Sequence, residues 1–108
     1  MSEVVSVYPP LPSRQGKRGT AVRPLGGKFH WKVIGEIRRI QSNRPHKVLC
    51  FERIEMEEDG RIELRLGYYL IGKKPRSKGK WVWGQFAPLM PPEDFNYLVQ
   101  KAKKQGWF

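Results

Sequence analysis

The sequence predicts an α+β domain. A curved antiparallel sheet of four strands leads into one C-terminal helix (ββββα), and a disordered basic arm precedes the sheet. Three observations carry this expectation. From Phe29 onward, apolar residues recur with period two between turn-forming stretches. One segment with helical spacing follows Pro91-Pro92. Residues 1–28 have neither period. The 108 residues suit one domain, read as residues 29–108 behind the arm.

In the arm, Tyr8-Pro9-Pro10-Leu11-Pro12 favours polyproline or extended geometry. Residues 13–28 are rich in Gly, Arg and Lys, and Gly26-Gly27 marks the boundary. The first strand puts Phe29, Trp31, Val33, Gly35 and Ile37 on one face, with His30, Lys32, Ile34, Glu36, Arg38 and Ile40 opposite. Residues 41–45 turn the chain. Residues 47–56 are β-rich through Val48-Leu49-Cys50-Phe51 and Ile54, with Glu52 and Arg53 leaving the register open. Glu57-Glu58-Asp59-Gly60 is a hairpin signal.

Residues 61–71 form the cleanest strand. Ile62, Leu64, Leu66, Tyr68 and Leu70 alternate with Arg61, Glu63, Arg65, Gly67, Tyr69 and Ile71. A turn with five cations follows: Lys73, Lys74, Arg76, Lys78 and Lys80. Residues 81–89 resume strand character, with Trp81, Trp83 and Gln85 opposite Val82, Gly84 and Phe86. Prolines open the helix, Glu93 and Asp94 meet the positive end of its dipole, and Lys101, Lys103 and Lys104 the negative end. Phe95, Leu98, Val99 and Ala102 form its apolar stripe, and Gly106 caps it.

The net charge is +11, unevenly placed. Residues 1–51 carry +8, residues 52–63 carry −4 and residues 64–108 carry +7. Such a surplus favours polyanions, because each cation placed on a phosphate releases counterions. The acidic piece reads either as a turn held away from a polyanion or as a plain solvated tip. No apolar run reaches the length of a membrane span, and no apolar segment follows a basic start. The lone Cys50 fits a reducing compartment, which places the protein in the cytoplasm or on the nucleoid.

Lys and Arg interleaved with Trp and Tyr on a sheet meet the needs of non-specific single-strand binding: cations for phosphates, rings for bases. The candidate contacts are Lys32, Arg38, Arg65, Tyr69, Lys73, Lys74, Arg76, Lys78, Lys80, Trp81 and Trp83. The stacking part turns on orientation. If Val82 and Phe86 point inward, the tryptophans face solvent; if the tryptophans are core, stacking fails. Catalysis has thin support. His46 and Cys50 have no second ligand pair, and Asp59 with Glu63 is a sparse metal site. The reading is therefore a non-enzymatic binder of single-stranded DNA or RNA, without metal or cofactor. The competing readings are a peptide- or methyl-lysine-binding cage of Tyr68, Tyr69, Trp81, Trp83 and Phe86, and a metal-dependent nuclease.

Arg65-Leu-Gly-Tyr-Tyr-Leu, then Lys78-Gly79-Lys80, then Met90-Pro-Pro-Glu-Asp-Phe95 leading into a helix, resembles the single-stranded-DNA-binding transcriptional coactivators of the positive-cofactor-four type. More distantly the chain is similar to the plant Whirly proteins. The resemblance spans about residues 29–105. Trp81-Val-Trp83 and the long arm depart from it. It implies a homodimer formed through helix and sheet, a role in transcription regulation, and single-stranded DNA laid across the strands. Lys78 and Lys80 would then meet phosphates, and Trp81 or Trp83 would stack on bases.

Overall fold

The computed structural model describes residues 10–84 and 86–108. Residues 1–9, which hold the start of the Tyr8–Pro12 run, and Gln85, assigned above to the tryptophan face, lie outside the described residues. Five strands, β1 (Arg18–Val22), β2 (Lys28–Ile40), β3 (Lys47–Met56), β4 (Ile62–Ile71) and β5 (Trp81–Trp83), form one sheet in chain order. Each is antiparallel to the next. One helix, α1 (Pro92–Lys104), closes the chain. The architecture is thus α+β, with five strands in a curled meander instead of the four expected.

The extra strand arises within the stretch read as an arm. Arg-Gly-Thr-Ala-Val has no apolar alternation, so period counting passes over it. Charge helps hold it instead. Arg18 donates to both oxygens of Glu57 at 2.6 and 2.7 Å, and Arg23 pairs with Glu58. The acidic hairpin is therefore not idle, because its carboxylates pair with arginines of β1 and of the turn after it.

A bulge in β2 gives the sheet its two cores. Val33 pairs with Ile54 and Gly35 with Arg53, so Ile34 is the extra residue. One inserted residue reverses the inward face. Trp31 and Val33 pack with Ile54 and Met56 on one side. Ile37 packs with Leu49, Phe51, Tyr68, Leu98 and Ala102 on the helix side. The single face running from Phe29 to Ile37 is therefore split. So is the expected basic row: Lys32 faces the helix side of the sheet, whereas Arg38 lies opposite, where it donates to the Pro12 carbonyl.

The helix begins and ends where capping chemistry directs. Gly106, at φ 79°, takes the left-handed conformation that favours glycine. Its N–H reaches the Lys103 carbonyl, and the Trp107 N–H reaches Ala102. This Schellman turn returns Trp107 to the sheet, 5.5 Å from the Phe51 ring centroid. The buried stripe is Asp94, Leu98 and Ala102; Phe95, expected inside, is exposed. Asp94 takes the inward place because its buried carboxylate meets donors at the end of β2 and in the turn after it. It accepts from Arg39 Nε at 2.6 Å and from both the N–H and the hydroxyl of Ser42 at 3.0 Å. No described helix is long and apolar enough to cross a membrane.

Burial alone would raise the Asp94 pKa, but Arg39 and the two Ser42 donors outweigh it and hold the carboxyl below the ordinary range. A depressed carboxylate contributes stability above its unfolded pKa and loses it as pH falls through the folded value. Asp94→Asn should therefore cost about 3 kcal/mol at neutral pH. The gap to wild type should narrow as pH drops below about 4. Urea unfolding at the two pH values measures both.

Candidate nucleic-acid interface

The sheet face away from the helix is built around Glu52. Its side chain has no exposed surface, and it is paired by Arg14 and by Arg65 at 3.4 Å. A fully buried carboxylate without cationic partners would cost several kcal/mol. Arg14 comes from the segment before β1, so that segment lies across the face. Its backbone N–H donates to Glu36 at 2.8 Å, and Leu11 packs against the cluster of Val48, Cys50 and Tyr69. The Arg14 guanidinium sits 3.9 Å from the Trp83 ring centroid. That of Arg65 lies between Trp31 and Trp83, at 5.1 and 5.2 Å. Tyr69 meets Trp83 edge-on at 5.0 Å. Burial pushes the Cys50 thiol up to about 12.

The tryptophan orientation left open above falls toward the packed alternative without sealing either ring. Trp81 and Trp83 are half-buried beside Val48, Cys50 and Tyr69. Val82 and Phe86, the candidates for the interior, are exposed, Phe86 to 81%. Strand β5 stops at Trp83 instead of running to residue 89, which frees Phe86 from the sheet. Of the expected contacts, Tyr69 is buried, and Arg38 and Arg65 are committed to Glu36 and Glu52. Trp83 is roofed by Arg14. The cage of five aromatics is not assembled either: Tyr69, Trp81 and Trp83 cluster on one face, whereas Tyr68 belongs to the helix-side core.

The basic loop is different. Residues 72–80 are braced by their own backbone. Gly72 N–H donates to the Lys80 carbonyl at 2.8 Å, Ser77 to Lys74 at 3.0 Å and Lys80 to Ser77 at 2.9 Å. Lys73, Lys74, Arg76, Lys78 and Lys80 are all exposed. Every ion pair among the described residues uses an arginine, and none uses these five side chains. Lys32 is also exposed, at a distance along the chain in β2. The loop thus holds a fixed array of cations facing water.

Beside the loop runs a groove in two continuous parts, of about 800 and 610 Å³, which share Asn43, Arg44, Tyr68 and Leu70. The larger part is lined by Arg44, Lys73, Lys74, Val82, Trp83 and Phe86 among others. The smaller part reaches Gln41, Lys47 and Leu89. Lys47 Nζ donates to the Leu89 carbonyl at 2.7 Å, and burial together with Arg44 lowers its pKa. Arg44 and Gln41 had escaped notice, and Phe86 had been read as an interior or cage residue. A large aromatic in a Gly- and Pro-punctuated stretch after a broken strand was the available signal for Phe86. Asp59 and Glu63 both pair with Arg61. No group of three or more His, Cys, Asp or Glu able to hold a metal occurs among the described residues.

The packing of Trp83 gives a direct test. A Cβ at Gly67 would run into the Trp83 ring. Gly67→Ala should therefore destabilise by roughly 1–3 kcal/mol through overpacking, read as a lowered urea midpoint, while the loop and groove keep their residues. Compared with known proteins, the chain matches no protein-family model, no curated protein and no solved structure.

Proposed function

We propose that the protein is a non-enzymatic binder of single-stranded nucleic acid that engages phosphates through the loop at residues 72–80. The observation that carries this reading is the array of five exposed, unpaired cations on a backbone-braced loop. Arginines elsewhere neutralise most of the carboxylates, so the loop charge is left without an internal counterpart. The cations lie beside a groove that no carboxylate lines among the described residues. Phosphate is the anion such an array suits when it repeats along a chain, because several lysines can be satisfied at once with release of counterions.

Binding of labelled single-stranded DNA, single-stranded RNA and duplex at about 50 and about 200 mM salt tests the reading. Affinity for a single strand should fall steeply with salt. Replacing Lys73, Lys74, Arg76, Lys78 and Lys80 together by Ala should flatten the log–log salt slope by about 3.5, at roughly 0.7 per lost phosphate contact. The unfolding midpoint should not move, since these side chains hold nothing together. Failure of wild type to bind any of the three, or binding that ignores both salt and the loop substitutions, overturns the proposal.

A further inference from the structure

Phosphate contacts alone do not separate single strands from duplex, because both present them. Discrimination needs a place for an unpaired base. The two-part groove offers one. Its lining is cationic through Arg44, Lys73 and Lys74. Its volume exceeds that of one nucleotide, and its walls mix apolar surface from Leu70, Val82 and Phe86 with the polar side chains of Asn43 and Gln41.

A second observation points the same way. Gln41 is only 3% exposed. Its Nε2 donates to Asn43 at 2.7 Å, yet its Oε1 is buried without a hydrogen-bond partner. A buried acceptor left unmade is costly, and a turn of the Gln41 side chain toward the groove would let a ligand N–H satisfy it. Phe86 is the converse. A ring exposed to 81% in the groove lining is an unfavourable solvent contact that a base face would cover.

Resting on the single-strand reading, we infer that the groove takes one unstacked nucleobase of the bound strand. In this assignment Phe86 stacks on the strand, Gln41 Oε1 accepts from the base's exocyclic amino group, and Arg44, Lys73 and Lys74 hold the flanking phosphates. Bases with an exocyclic amino donor, such as cytosine and adenine, fit the acceptor better than thymine, which offers a carbonyl at that position. A duplex, with its bases paired, places none there.

The experiment compares oligo-dC, oligo-dT, an RNA oligo-C and a duplex against wild type, Phe86→Ala and Gln41→Ala. Phe86→Ala should weaken single-strand binding on the order of tenfold, with duplex affinity and salt slope unchanged. Because Phe86 is exposed, its replacement leaves the core intact and the thermal midpoint in place. Gln41→Ala should erase the preference of oligo-dC over oligo-dT, and the RNA arm states whether the sugar matters. If both variants keep the wild-type single-strand-to-duplex and dC-to-dT ratios while the loop substitutions still weaken binding, the base site is wrong and the phosphate reading stands. Displacement of oligo-dC by poly-glutamate as readily as by oligo-dT also overturns it, since charge alone would then explain occupancy. If wild type binds no nucleic acid, both proposals fall together.

Discussion

A carboxylate with no exposed surface, Glu52, governs how this chain is arranged. A charge placed inside a sheet must find cations at close range. One of them, Arg65, comes from the adjoining strand and the other, Arg14, from the segment ahead of β1. That requirement draws the N-terminal segment over the face, which in turn covers Trp83 and seats Leu11 on Tyr69 and its neighbours. The face richest in aromatic residues is thereby used for cohesion. Phe86 and the loop lysines, by contrast, remain in water.

The two kinds of cation divide the labour. Arginine makes every ion pair among the described residues, where a planar guanidinium can donate in two directions and lie flat on a ring, as Arg65 and Arg14 do at Trp83. The ammonium groups of Lys73, Lys74, Lys78 and Lys80 stay exposed to water. Under the proposed function, lysine there would serve as a point charge for phosphate. Of the formal charge of +11, the loop supplies five cations that no carboxylate offsets locally.

Elements whose logic is local could be read directly. The helix follows from Pro92, Glu93, Asp94 and Gly106, each acting within one turn of a helix end. Residues 62–71 follow from strict alternation. What escaped depends on distant partners. Strand β1 has no apolar period and is held partly by Glu57, 39 positions from Arg18. The bulge at Ile34 leaves the alternation visible while reversing its meaning, so Trp31 and Ile37 look like companions and lie on opposite sides. The orientation of Trp81 and Trp83 had two self-consistent answers, and the buried Glu52 decided between them. Of the site, the loop lysines were legible as a charge run, whereas Arg44, Gln41 and Phe86 meet only once the sheet curls.

Cys50 is the chain's single cysteine, and it lies sealed beneath the segment that Arg14 anchors. With its thiol pushed up to about 12, the fraction present as thiolate near neutrality is negligible, so burial and chemistry both silence it. An alkylating reagent meets a reactive sulfur only in molecules whose covering has lifted. The protein thus contains its own stopwatch: one native atom whose labelling rate counts the openings of that face, with no added probe.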